Sequence, residues 1–218
     1  MRIAILGTGT LAEALGDRWV QSGHVLVIAG RSQEKARSLA GRLGSGARAS
    51  TPRQAVAGCE AVLLAVPWEG AKDVLSSAGA GEGSLNGIAL IDPVNAVGHG
   101  VGVLRTPPGR AAAQEIAAMA PGAHVVKAFH LFAASQWAGT GREAPATVAM
   151  CGDDPAALRT VGQLVRDVGG VPAVLGSLDR ARQLEEVAGF VIGLAFAGFD
   201  PRLAVPSVPS TSHDREAG

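Results

Sequence analysis

The sequence predicts an α/β fold, a doubly wound and mainly parallel sheet with a small C-terminal helical extension. Three observations carry that prediction. Short apolar runs alternate with amphipathic stretches as far as Leu175, the first run ends in a glycine turn that opens a helix, and the final apolar stretch has helical length. At 218 residues the chain is long enough to bury a sizeable core.

Arg2 to Leu6 is an apolar run of the kind a strand buried on both faces shows. It stops at Gly7-Thr8-Gly9-Thr10-Leu11-Ala12, which is G-x-G-x-x-A. In a dinucleotide site Gly7 permits the tight turn, Gly9 lets the backbone approach a pyrophosphate, and Ala12 lets the helix pack closely on the strand. With 30 glycines in the chain, such a pattern arises easily by chance, so its surroundings must support it. They do. Leu11, Leu15, Trp19 and Val20 recur at helical spacing, Ser22-Gly23-His24 closes the helix, and Val25 to Ala29 supplies a second strand. The fold is therefore expected to be of Rossmann type.

The end of that second strand selects the cofactor. A site for the dinucleotide without a 2′-phosphate places Asp or Glu there, whereas this chain has Gly30-Arg31-Ser32 with Lys35 following. Arg31, Ser32 and Lys35 suit a 2′-phosphate, hence NADP(H).

Gln33 to Leu43 is a helix with Ala36, Leu39, Ala40 and Leu43 on one face. Ala47 to Ala49 is a short third strand, and Thr51-Pro52 opens a brief helix with Thr51 as its cap. Ala61 to Val66 is the next strand, expected across the topological switch from the first. Val66, Pro67 and Trp68 are then expected beside the ribose and nicotinamide half of the cofactor. Ile88 to Ile91 is the fifth strand, and Asp92 and Asn95 leave its carboxyl end as substrate candidates. Gly98 to Pro108 is a glycine- and proline-rich loop that reads either as a functional lid or as plain surface, and Gly109-Arg110 leads into a helix through Met119. The sixth strand, His124 to Ala128, delivers Phe129-His130-Leu131-Phe132 to the same edge. There His130 is the catalytic candidate, and Phe129, Leu131 and Phe132 are substrate candidates. His24 and His99 read as turn residues.

Thr147 to Cys151 is a further strand, Asp154-Pro155 starts the helix through Val168, and Val171 to Leu175 is the last strand. Asp179 is expected to cap a long helix through Ala197, too apolar to stand in water on one face alone, so it is expected to pack across the cleft or against a second copy. The expected organisation is an NADP-binding domain over 1–178, a C-terminal helix over 179–200 and a disordered tail over 201–218.

Net charge is zero and basic residues form no long run, which gives no reason to expect nucleic acid or an anionic membrane as partner. Cys59 and Cys151 lack metal-ligand spacing and read as free thiols in a reducing cytoplasm, and no metal site is expected. The N-terminus starts directly on a strand, without the pattern of a signal peptide. The longest apolar stretch, Ala188 to Phe199, is too short and glycine-rich to span a bilayer.

Taken together, these residues resemble the NADPH-dependent reductases of the deazaflavin coenzyme F420, also called F420-dependent NADP oxidoreductases. The resemblance runs to about Ala197. It is carried by the glycine turn, Gly30-Arg31-Ser32 with Lys35, Val66-Pro67-Trp68-Glu69, Val126-Lys127-Ala128-Phe129-His130, Met150-Cys151-Gly152-Asp153-Asp154 and Ala181-Arg182-Gln183-Leu184-Glu185. The same architecture is similar to the cytosolic domain of six-transmembrane metalloreductases, from which this chain is expected to differ in lacking the membrane part. The resemblance implies direct hydride transfer between nicotinamide and deazaflavin, with Thr8, Thr10 and Leu11 by the pyrophosphate and His130 near the reacting faces. It implies an enzyme whose work is alignment and exclusion of water, while the cysteines lead to a cytoplasmic expectation and the apolar last helix to an expected homodimer. The chain departs from the family in the bulk of Phe129 to Phe132 and in the scattered cations near the cleft, Arg105, Arg110 and Arg142. Two alternatives therefore stand beside the deazaflavin reading: reduction of an imine or ketone of a small metabolite, and a non-catalytic module that binds NADP(H).

Overall fold

The computed structural model describes residues 1–98, 100–138 and 145–206. The sheet has eight strands: β1 Arg2–Leu6, β2 Val25–Ala29, β3 Ala47–Ala49, β4 Ala61–Leu64, β5 Ala89–Asp92, β6 His124–Lys127, β7 Thr147–Gly152 and β8 Val171–Val174. Their spatial order is β3-β2-β1-β4-β5-β6-β7-β8. All neighbours run parallel except β6 and β7, which pair antiparallel with Val126 opposite Gly152. The order of strand addition reverses between β1 and β4, and that switch opens a crevice at the carboxyl ends of the strands.

Alternate residues of the central strands supply the two cores. Ile3, Ile5, Leu26 and Ile28 face one layer with Trp19, Leu39 and Leu164. Ala4, Leu6, Val62 and Leu64 face the other with Val74, Leu75, Ile116 and Leu184. The helices of the first layer are α1 Thr10–Gln21, α2 Gln33–Leu43 and, beyond the switch, α7 Pro155–Asp167. The second layer holds α3 Pro52–Val56, α4 Trp68–Ala78, α5 Ala112–Met119 and the last helix, Ala181–Phe196. A four-residue helix at Ser135–Ala138 lies between β6 and β7. We number these last two α6 (Ser135–Ala138) and α8 (Ala181–Phe196).

The helix signals mostly act as the sequence suggests. Thr51 accepts from the Gln54 amide and Asp154 from the Ala157 amide, with Pro52 and Pro155 opening their helices. Three expectations need correction. Residues 65–66 have left the strand, and α4 begins at Trp68, because Pro67 cannot continue a ladder but suits a helix start. Asp179 does not cap the last helix: it sits in a 3-10 turn, Leu178–Arg180, and accepts from Gln114 Nε2 at 3.4 Å. Pro201–Ala204, placed in the disordered tail, form a 3-10 turn capped by Asp200, whereas residues 207–218 lie outside the described residues. So do Arg142 and His99.

Candidate functional site

The glycine turn is built by close approach. Gly7 has φ 141° and donates to the Ala29 carbonyl at 2.7 Å, and a Cβ there would fall on the Ala65 carbonyl oxygen. Gly9 is different, since a Cβ on it would meet nothing within 4 Å. Gly9 also sits at the start of α1 without a side-chain cap, so the first amides of the helix face open space. Thr8 is half-buried against Gly30, and Ala12 is fully buried under the helix.

From that turn a cleft of about 640 Å³ runs along the sheet edge. Gly9, Thr10 and Leu11 form one end, and Val66, Pro67 and Trp68 a wall. Pro93, Val94 and Asn95 line it beyond β5, and Ile192 and Phe196 line it from α8. Its two ionisable lining residues, Glu69 and Arg105, pair with each other at 2.7 Å. Of the sequence candidates the cleft thus gathers seven: Gly9, Thr10, Leu11, Val66, Pro67, Trp68 and Asn95.

At the end of β2, Arg31 and Lys35 are exposed and form no ion pair among the described residues, which leaves both charges free for an anion. The Ser32 hydroxyl caps α2 by accepting from the Lys35 amide at 3.2 Å and keeps its own proton to donate. A group with a pyrophosphate and a 2′-phosphate fits this chain: open helix amides at Gly9, unpaired cations and a free hydroxyl at the end of β2.

The second set of candidates is placed otherwise. His130 is 6% exposed, does not line the cleft and bonds through its ring to the Leu184 backbone, leaving Nδ1 without a partner. Burial, aided by the charge of Lys127, lowers its pKa to about 3. A neutral, enclosed imidazole of that basicity is no proton donor at neutral pH, which corrects its reading as the catalytic residue. Phe129 is corrected too. It has φ 62°, a left-handed backbone that turns its ring into the core, edge-on to Trp19 and Trp137 with centroids 6.1 and 5.5 Å apart. Phe132 packs on Trp137 at 5.7 Å, and it and Leu131 lie away from the cleft beside Val148 and Ala149.

Asp92 is wholly buried and spends its oxygens internally, Oδ1 on the Val94 amide at 2.7 Å and Oδ2 on Lys127 Nζ at 3.1 Å, so it does not face a substrate. Burial raises its pKa, while Lys127 and the Val94 amide work against that rise. Asn95 remains at the site. Its Nδ2 donates to the His130 carbonyl at 2.6 Å, which fixes the amide orientation, and its Oδ1 is buried without a partner.

Sequence reasoning missed two parts. One is Lys127 with Glu185, both 0% exposed and 3.0 Å apart. The hint was a lysine inside an apolar strand and an acid inside an apolar helix. The other is the way residues 96–98 and 100–105 double back, with Val97 bridging Leu104, and cross α8. Gly102 there meets Gly189 backbone to backbone, with no room for a Cβ on either.

The class of protein that this fold and site define is the Rossmann-type chains with a cleft suited to NADP(H). More particularly, residues 2–96 match the family described as NADP oxidoreductase, coenzyme F420-dependent. Metalloreductase STEAP3 of Rattus norvegicus is 30% identical over 186 residues, 85% of this chain and 36% of that protein, so the chain spans about a third of this curated relative. The solved structure of a candidate F420-dependent NADP-reductase from Arthrobacter sp. FB24 superposes with a TM-score of 0.77 at 25% identity, covering 90% of this chain and 95% of that one. The protein SMa0349 of Sinorhizobium meliloti gives 0.73 at 26%, covering 83% and 88%. No helix among the described residues is long and apolar enough to cross a membrane.

Proposed function

We propose that the chain binds NADP(H) along this cleft and passes a hydride between it and a deazaflavin of the coenzyme F420 type. In this reading the pyrophosphate lies on the first amides of α1 by Gly7, Thr8, Gly9, Thr10 and Leu11, with Ala12 holding the helix against the sheet. Arg31, Ser32 and Lys35 take the 2′-phosphate. Val66, Pro67 and Trp68 flank the nicotinamide half. NADPH supplies the hydride; the protein aligns the two rings and keeps water out.

One observation carries the choice of acceptor. The cleft walls are mostly apolar, and among the described residues no free acid lines them: His130 is buried and neutral, Asp92 is engaged, and Glu69 is paired with Arg105. Both kinds of acceptor take up a proton with the hydride, but a ketone or imine needs it delivered at the reacting double bond, whereas a deazaflavin takes it on a ring nitrogen remote from the carbon that receives the hydride, where solvent can supply it. The observation supports the deazaflavin over a small carbonyl substrate.

The same reading assigns 1–178 to the dinucleotide domain, with α8 and the following turn as an interface. Val187 and Phe190 are about half exposed on α8, and Phe199 and Leu203 more so. A second copy covering them makes a homodimer. Buried free Cys59 and Cys151 suit a reducing cytoplasm. The decisive experiment follows NADPH oxidation at 340 nm with oxidised F420, and separately with a panel of ketones and imines. Turnover with F420 alone is expected. Turnover only with the panel would overturn the choice of acceptor, and NADPH binding without turnover by any of them would leave a non-catalytic module.

A further inference from the structure

Lys127 ends β6 with its ammonium out of reach of water, and it has three acceptors for three protons: Asp92 Oδ2 at 3.1 Å, Glu185 Oε1 at 3.0 Å and the Val94 carbonyl. Glu185 is equally occupied. Besides Lys127 it accepts from the amides of Ala112 and Ala113 at 2.8 and 3.0 Å, so its carboxylate caps α5 from across the layer. One buried ammonium therefore joins the exit of β5, the end of β6 and the last helix, and through Glu185 the start of α5.

What it joins lies beyond β4 in the sheet, on the side away from the glycine turn that follows β1. Lys127 holds Asp92 and Val94, and Val94 and the adjoining Asn95 line the cleft. Glu185 belongs to the same face of α8 as Ala188, Gly189, Ile192 and Phe196, at steps of three and four residues. Fixing the rotation of the helix at Glu185 therefore fixes Ile192 and Phe196 two and three turns further on, where they line the cleft. A well-packed apolar trio would hold the helix as firmly, but it would leave the rotation less defined than three directed hydrogen bonds do.

We propose that Lys127 and Glu185 are positioning residues, a buried lock that sets the rotation of α8 and so shapes the end of the cleft that receives the nicotinamide half of NADPH. The inference rests on the proposed binding of NADP(H), and its test separates the two. The glycine turn and the Arg31 loop lie at the other end of the sheet edge, so the lock acts on one half of the ligand only. Titrations of the full chain compare NADPH with adenosine 2′,5′-bisphosphate, which has the adenine half alone. Glu185→Gln should weaken NADPH about tenfold, the loss of one or two apolar wall contacts, while the bisphosphate stays within about twofold.

Equal weakening of both ligands, or of neither, overturns the lock. If Glu185→Gln does not fold, Ile192→Ala with Phe196→Ala decides, because those side chains lie toward the surface end of the helix. Selective loss of NADPH affinity supports the inference, and unchanged affinity for both ligands refutes it. Failure of the unaltered protein to bind NADPH would instead overturn the proposed function, and this inference with it.

Discussion

His130 offers the sharpest test of the electrostatics, and the perturbation is pH. The imidazole is neutral in the fold, with a pKa of about 3, against 6.5 for an unperturbed histidine. Below pH 6.5 the unfolded chain binds a proton there that the folded chain refuses. By linkage, stability then rises with pH, so the contribution is whole above 6.5 and is lost as pH falls from 6.5 toward 3. Each unit in that window costs about 1.4 kcal/mol, and at pH 5.5 the loss from this group is about 1.4 kcal/mol. Asp92, with its raised pKa, pulls the opposite way, since between its unfolded and folded values it holds the proton more tightly in the fold. Urea unfolding of the unaltered protein and of His130→Leu, at pH 7.5, 6.5 and 5.5, removes the terms common to both. The variant should lose its disadvantage, or gain, by about 1.4 kcal/mol between 7.5 and 5.5. Parallel stability curves would show that His130 protonates freely in the fold and would return it to the list of possible proton donors.

Other consequences can be measured directly. Arg31→Ala should weaken NADPH about tenfold or more and NADH little, as one charge-assisted hydrogen bond to a phosphate is lost; equal weakening in a fluorescence titration would show that Arg31 serves the fold instead. Gly7→Ala should destabilise by several kcal/mol or prevent folding, because its φ of 141° and the Ala65 carbonyl leave no place for a methyl group, and a thermal melt near that of the unaltered protein would contradict the geometry of the turn. Asp154→Ala should cost about 1 kcal/mol in urea unfolding, the usual worth of an N-cap that accepts at 2.7 Å. Sedimentation at micromolar concentration should give a dimer, and Phe190→Asp, on the exposed face of α8, a monomer.

The strands and the glycine turn were legible because a strand buried on both faces must be a continuous apolar run, and Gly7 occupies a backbone position that excludes any side chain. Helix α4 was legible as well, at Ala71, Val74, Leu75 and Ala78, but Val66-Pro67-Trp68 drew attention to the corner instead of to what it opens. Phe129 and His130 could not be placed from the sequence. Their burial follows from one left-handed residue after β6, and Phe is a residue type for which no pattern announces that conformation. The buried trio was out of reach for another reason. Asp92, Lys127 and Glu185 lie on three distant elements, and nothing local marks a charge as paired until the sheet and α8 bring the partners within 3.1 Å.

The crossing of Gly102 and Gly189 limits how the protein can be altered or can diverge. Because the two backbones touch, neither position tolerates even alanine unless the segment around Gly102 and the helix separate. The segment and the helix therefore form one hereditary unit. A substitute segment grafted from a relative to change acceptor preference will sit correctly only if the last helix travels with it, and a library that diversifies either piece alone will mostly sample broken seams.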